Sequence, residues 1–112
     1  MSDKDVVLVE REGAVATVIL NRPEKLNALT KEMWCRVGEA FRDLDQDDSL
    51  RCIILRGAGD EVVGTGADIS EFATERNNAE QAAEYGALMH ASMHAIHDCR
   101  HPVIARIRGL CV

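Results

Sequence analysis

The 112-residue sequence is poor in aromatic residues and proline, with one Trp, one Tyr, two Phe and two Pro. It also lacks any apolar run near the roughly 18 residues that a membrane-spanning helix needs. Its opening, MSDKDVV, has neither the hydrophobic stretch of a signal peptide nor an Arg-rich transit pattern. We therefore predict a cytoplasmic protein with no membrane partner, whose core is built from Val, Ile, Leu, Ala and Met.

An excess of positive charge is missing as well. Thirteen Lys and Arg stand against nineteen Asp and Glu, so the net charge is −6. This balance opposes a general attraction to nucleic acid or to anionic membranes. We predict no nucleic-acid partner, although a local basic site is compatible with the composition.

Paired cysteine motifs are also absent. Cys35, Cys52, Cys99 and Cys111 are widely spaced, lie in apolar surroundings and form no CxxC pair. This pattern favours reduced, buried thiols that pack as small hydrophobes over a disulfide or zinc framework.

What the sequence does contain is an alternation of β-branched runs with helical periodicity, typical of an α/β domain. Thr30 is a plausible N-cap for the first helix. The predicted order is strand, strand, helix, strand, helix, strand, over residues 6–10, 14–20, 31–45, 50–55, 79–99 and 103–107.

Each predicted helix carries apolar residues at helical spacing, which predicts one buried stripe per helix. The stripes consist of Trp34, Val37, Phe41 and Leu44 in the first helix and of Tyr85, Met89, Met93 and Ile96 in the second.

The stretch GTGADIS, residues 64–70, follows an apolar pair and carries almost no bulky side chains at its start. Gly64 and Gly66 would let the backbone approach a ligand and aim N–H groups at it, as in an oxyanion hole. A tight turn that needs glycine for a positive φ explains the same composition. A dinucleotide-binding fingerprint fits poorly, because Ser70 stands where its third glycine would be. A P-loop is excluded, because no Gly-Lys-Ser/Thr follows the glycines.

Charged residues near this loop have two interpretations. Asp68 and Glu71 are possible acid/base groups, but acidic residues that open a helix more often interact with its dipole. Arg22 and Lys25 follow the second strand, where a basic pair could meet phosphate, with solvated surface charge as the default.

Four histidines, His90, His94, His97 and His101, recur along the second predicted helix. At about 100° per residue they share one sector, so a metal site is conceivable. A half-exposed helix flank or a subunit contact explains them more simply, since no HExxH pattern is present and Pro102 can end the helix before His101.

Taken in order, these pieces resemble the amino-terminal part of the crotonase superfamily, the enoyl-CoA hydratase/isomerase family. The resemblance covers nearly the whole chain as one domain, residues 1–112. It is carried by the opening hairpin and by the stretches NRPEKLNALT, RCIILRGAG, GADISEF and HPVIARIRGLCV. It implies a crotonase-like spiral of repeated ββα units, here incomplete, which usually assembles as trimers or hexamers.

The resemblance also implies acyl-CoA thioester substrates, no metal or redox cofactor, and a thioester enolate held by two backbone N–H groups. Ala67 would supply the first N–H. The positions expected to bind substrate are Thr65, Gly66, Asp68, Ile69 and Ser70 at the acyl-CoA site, and Lys25, Leu26 and Ala28 along the CoA moiety.

Two departures from the family pattern stand out. Val63, Gly64 and Thr65 replace the usual Phe, small residue and Ala or Pro, and Thr65 would place a β-branched side chain at the pocket wall. The glycine run that carries the second oxyanion N–H would follow Val112, as would the acid/base residues, so we expect a longer parent enzyme and an inactive fragment. The alternatives are a short non-catalytic acyl-CoA-binding or hetero-oligomer subunit, and a histidine-based metal-binding domain.

Overall fold

The computed structural model describes residues 5–112, so the first four residues of the opening MSDKDVV lie outside it. The described part confirms the predicted order of elements and adds β4, α2 and β6. The strands are β1 (Val7–Glu12), β2 (Val15–Leu20), β3 (Cys52–Gly57), β4 (Val62–Gly64), β5 (Val103–Ala105) and β6 (Leu110–Cys111). The helices are α1 (Lys31–Asp45), α2 (Phe72–Glu75) and α3 (Ala79–His97). Two 3-10 turns span Pro23–Lys25 and Ile69–Glu71. No helix in residues 5–112 combines the length and apolarity needed to cross a bilayer.

Four strands form the main sheet in the order β1-β2-β3-β5. The hairpin β1-β2 is antiparallel and turns at Gly13, whose φ of +59° suits glycine. β3 and β5 then add as parallel strands, and β4 and β6 form a separate parallel pair. The carboxyl ends of β2, β3 and β5 therefore lie at one edge of the sheet, where the loops after them can meet.

Helix α1 covers one face of this sheet. Thr30 caps it as predicted, because its Oγ1 accepts from the Met33 N–H at 3.1 Å. The predicted stripe is correct at Val37, Phe41 and Leu44, which are buried. Met33 is completely buried, whereas Trp34 is half-buried at the contact with α3.

The stripe predicted for α3 is only partly correct. Tyr85 is fully buried, but Met93 is 43% exposed and the other buried residue of the helix is Ser92. The Ser92 hydroxyl donates to the Trp34 carbonyl at 2.5 Å, and a Cβ at Gly38 would lie 2.8 Å from its Oγ. The two helices thus approach through small residues, which apolar periodicity does not detect.

The prediction of buried cysteines is wrong, since none of the four is fully buried. All four thiols are free in the described structure. Cys35, Cys52 and Cys99 are half-buried, and Cys111, in the two-residue strand β6, is exposed.

Candidate active site

The backbone of the glycine-rich loop is joined to the chain before α1. Leu29 N–H donates to Gly66 O at 2.8 Å, and Asp68 N–H donates to Leu29 O at 2.9 Å. These two bonds form a parallel bridge between Leu29 and Ala67 and flank Ala67 on either side. In such a bridge the N–H of the flanked residue points to the opposite side. Among residues 5–112 no group accepts a hydrogen bond from Ala67 N–H, so it is an available donor on a fixed backbone.

Glycine has a specific role in this loop at Gly66, whose φ is +89°. A residue with a Cβ would be strained there. Gly64 has no positive φ, and a Cβ at that position would meet its neighbours only at ordinary contact distances. The tight-turn interpretation and the exposed-donor interpretation are therefore compatible, since the turn at Gly66 sets the position of Ala67.

The turn that precedes Leu29 is held by Asn27, which is 1% exposed. Its Oδ1 accepts from the Arg22 N–H at 2.8 Å, and its Nδ2 donates to Val62 O at 3.1 Å and to Ala58 O at 3.4 Å. Asn27 has a φ of +57°, a conformation that Asn tolerates better than most residues. Asn27 is not among the residues predicted from the sequence, although an Asn inside a turn before an N-cap is a recognisable signal.

Leu26 also lies in the left-handed region, with a φ of 54°, and its side chain is 52% exposed. It borders an open groove of about 360 Å³. The groove is lined by Pro23, Leu26, Asn27, Ala58, Gly59, Asp60, Glu61 and Val62. Lys25 is exposed beside it and forms no ion pair within residues 5–112.

Asp68 is an anchor in this structure. Its Oδ1 accepts from the Ser70 N–H at 2.8 Å and from the Ser70 hydroxyl at 2.7 Å, which caps the second 3-10 turn. Its Oδ2 lies 2.6 Å from Arg22 Nη1. The Ser70 hydroxyl, then Arg22, then the Ser70 amide lower the pKa of Asp68 to about 2. A carboxylate so engaged is a poor proton donor near neutral pH.

Arg22 is therefore not a solvated surface charge, contrary to the default expectation from the sequence. Its side chain is 19% exposed, and the same Nη1 donates to Ala28 O at 3.1 Å as well as to Asp68. One guanidinium thus joins the two segments that the Leu29 bridge also connects.

Glu71, the other acid/base candidate, is anchored too. Its Oε1 accepts from the Lys31 N–H at 2.8 Å, at the start of α1, and from the Tyr85 hydroxyl at 3.1 Å. Burial, followed by the charge of Glu71, raises the pKa of Tyr85 to about 12. Glu71 therefore connects the loop to α1 and α3.

The structure brings several predicted site residues together. Thr65 Oγ1 donates to Leu26 O at 3.4 Å, and Ala28 is linked to Asp68 through Arg22. Ile69, by contrast, is 76% exposed, and the Ser70 hydroxyl is occupied by Asp68.

The histidines do not form a metal site. His90, His94 and His97 are exposed on α3, while His101 Nε2 lies 2.9 Å from the Asp47 carbonyl oxygen. Across residues 5–112, no three His, Cys, Asp or Glu side chains are arranged to hold a metal ion.

Comparison with known proteins identifies the family of the chain. Residues 10–112 match the family described as enoyl-CoA hydratase/isomerase. The short-chain-enoyl-CoA hydratase of Clostridium acetobutylicum is 32% identical over 95% of this chain and 40% of its own length. A peroxisomal Delta(3,5)-Delta(2,4)-dienoyl-CoA isomerase of Arabidopsis thaliana is 32% identical over 96% of this chain and 42% of its own length.

A crystal structure of an enoyl-CoA hydratase/carnithine racemase from Magnetospirillum magneticum superposes with a TM-score of 0.88 at 48% identity, covering 90% of this chain and 38% of that one. The chain therefore belongs to the enoyl-CoA hydratase/isomerase family and has an incomplete crotonase fold. It spans about 40% of the length of the curated relatives it matches.

Proposed function

We propose that this chain forms one half of an acyl-CoA site in which Ala67 N–H is one of two donors to a thioester enolate oxygen. The proposal rests on the Ala67 N–H, which donates to no group within residues 5–112. The two hydrogen bonds with Leu29 hold the backbone on either side of it. A donor fixed before reaction stabilises developing charge without reorganising, and removing one typically raises the barrier by about 3 to 4 kcal/mol.

The CoA moiety would run along Lys25, Leu26 and Ala28. Leu26 offers an exposed apolar side chain beside a groove, and Lys25 offers an unpaired ammonium group for a phosphate. Thr65, Gly66 and Ile69 would border the acyl group, with Asp68 and Ser70 holding the loop. In this scheme coenzyme A is part of the substrate and no metal or redox cofactor takes part.

The whole protein would act on an enoyl-CoA, by hydration or isomerisation of its double bond. In hydration, water adds across the Cα=Cβ bond while two backbone donors hold the enolate oxygen. Because the second donor and the acid/base residues have no counterpart identified in residues 5–112, we propose that the 112-residue chain alone does not turn over substrate. A cytoplasmic trimer or hexamer remains a prediction for the whole protein.

A short non-catalytic subunit is the second candidate. It is favoured by the exposed apolar side chains of the β5–β6 region, an area that another chain would cover. These side chains are 48–81% exposed and belong to Ile104, Ile107, Leu110 and Val112. Co-purification of the chain with a full-length homologue in a fixed ratio would support this candidate.

The test of the oxyanion donor is to replace the Ala67 amide by an ester, using the α-hydroxy analogue of alanine at that position. This removes one N–H, leaves the side chain unchanged and makes the preceding carbonyl, Gly66 O, a weaker acceptor for Leu29 N–H. The same replacement at Ala79, the exposed first residue of α3, is the matched control. The control makes the same change to Asn78 O, which accepts from Ala82 N–H. We expect the affinity for crotonyl-CoA to fall about fivefold, the value of one hydrogen bond, only for the Ala67 ester.

Infrared spectroscopy of bound crotonyl-CoA gives a second measurement. The thioester carbonyl stretch should shift to lower frequency on binding, and the Ala67 ester should reduce that shift. Equal shifts for wild type and both esters would rule out Ala67 as the donor. Turnover of crotonyl-CoA by a preparation with the intact mass of the 112-residue chain would contradict the proposed inactivity.

A further inference from the structure

We propose that a groove lined by Arg56, Arg106 and Arg108 binds a phosphate group. The groove has a volume of about 200 Å³ and adjoins the one beside Leu26. Its lining consists of Arg56, Gly57, Gly59, Asp60, Val62, Val63, Arg106 and Arg108. Three arginines in one lining are unexpected in a chain of net charge −6.

The sheet register places two of these arginines side by side. β3 and β5 are parallel neighbours, with Leu55 opposite Ala105. Arg106 N–H donates to Leu55 O at 2.9 Å, which extends the pairing by one residue and places Arg106 opposite Arg56. Residues opposite each other in a sheet point to the same face, where like charges are unfavourable. A bound anion would remove this repulsion.

The charges around the groove are only partly compensated. Arg108 Nη1 lies 3.0 Å from Asp60 Oδ1, the single carboxylate in the lining. Arg56 donates to Gly57 O at 3.0 Å and is 3.8 Å from the exposed Glu10 carboxylate. The Arg106 side chain forms no hydrogen bond or ion pair within residues 5–112. One guanidinium is therefore available to a ligand.

Phosphate is the anion that this arrangement suits best. A guanidinium presents N–H donors in a planar fork that matches phosphate oxygens, and several arginines can share one phosphate. Gly59 adds no side chain to the space, and a Cβ there would meet nothing within 4 Å. The phosphate could come from a free polyphosphate or from coenzyme A, because this groove shares Gly59, Asp60 and Val62 with the groove beside Leu26.

The site can be tested by titrating the 112-residue chain with inorganic pyrophosphate and following binding by calorimetry. Arg106→Gln should weaken pyrophosphate binding about tenfold or more, the loss of a charge-assisted contact. Arg36→Gln removes an exposed arginine of α1 and should leave the affinity unchanged. Arg106→Lys keeps the charge but loses the fork, so its affinity should be intermediate. Equal affinities in all four proteins would overturn the proposal.

A second titration, with coenzyme A, identifies the source of the phosphate. If Arg106→Gln weakens coenzyme A and pyrophosphate in parallel, the groove holds a phosphate of the coenzyme. If it weakens only pyrophosphate, the groove is an independent anion site. The groove does not depend on the thioester chemistry proposed above: loss of crotonyl-CoA binding in the Ala67 ester, with pyrophosphate affinity retained, separates the two proposals. Circular dichroism spectra matching wild type would show that Arg106→Gln is folded.

Discussion

The contact between Arg22 and Asp68 supports a quantitative prediction about stability. Asp68→Asn keeps the size of the side chain and an oxygen for Ser70, but it removes the charge that faces Arg22. The Asp68 side chain is 11% exposed and that of Arg22 19%, so solvent only partly screens the loss. The variant should be less stable than wild type at neutral pH.

The magnitude follows from the pKa of Asp68, which is lowered from 3.8 to about 2. At about 1.4 kcal/mol per pKa unit, this difference corresponds to about 2.5 kcal/mol if none of it is screened. Because the pair retains some contact with water, we expect Asp68→Asn to lower the free energy of unfolding by about 1 to 2 kcal/mol.

The sign of the pH dependence is also determined. A carboxylate with a lowered pKa in the folded state contributes stability above its unfolded pKa, and that contribution disappears as the pH falls toward its folded pKa. The contribution of Asp68 should therefore be complete at neutral pH and decline between about pH 5 and pH 2. Wild type and Asp68→Asn should converge in stability across this interval.

Urea denaturation of the 112-residue chain at pH 7 and pH 3 measures both effects. Asp43→Asn is the control, since Asp43 is exposed on α1 and its carboxylate has no ion pair within residues 5–112. The control should differ little from wild type at either pH. If Asp68→Asn and Asp43→Asn unfold at the same urea concentration at pH 7, the pair does not anchor the loop.

Three further changes test the packing around the site by the same denaturation assay. Asn27→Ala should lower the free energy of unfolding by about 2 to 4 kcal/mol, because Asn27 is buried and its loss leaves several backbone partners unsatisfied. A loss smaller than that of an exposed substitution would contradict its role. Gly38→Ala should lower the free energy of unfolding by about 1 to 3 kcal/mol, because the new Cβ would overpack against Ser92. The double variant with Ser92→Ala should recover part of this stability. No recovery would refute the close contact. Tyr85→Phe should cost about 1 kcal/mol by removing one hydrogen bond to Glu71, and a neutral result would show that this bond is not formed.

Most of the fold was predictable because it depends on local signals. The bounds of α1 agree with the prediction because a Thr N-cap and a strong apolar stripe both mark them. The β-branched runs located β1 and β2 to within two residues, since such residues suit a buried strand. The short strands β4 and β6 were missed, because three-residue and two-residue elements carry no periodicity.

The contacts that build the site were harder to predict because their partners are distant in sequence. Arg22 and Asp68 are 46 residues apart, and Ser92 lies 58 residues from the carbonyl it contacts. From the neighbouring sequence alone, a charged residue after a strand is expected to be solvated, and a serine in a helix is expected to be exposed. Only the three-dimensional fold shows that both are partly or fully buried.

The proposed role of Ala67 bears on how different reactions could share this segment. The proposed donor is a backbone N–H, which every residue except proline supplies, so its placement depends on Gly66, Asn27 and the Arg22–Asp68 pair. None of these groups is proposed to exchange a proton with substrate. A hydratase and an isomerase can therefore share this segment at about 32% identity with this chain. Under the proposal, one backbone donor would serve both reactions equally, so the choice between hydration and isomerisation would depend on the acid/base groups around the enolate.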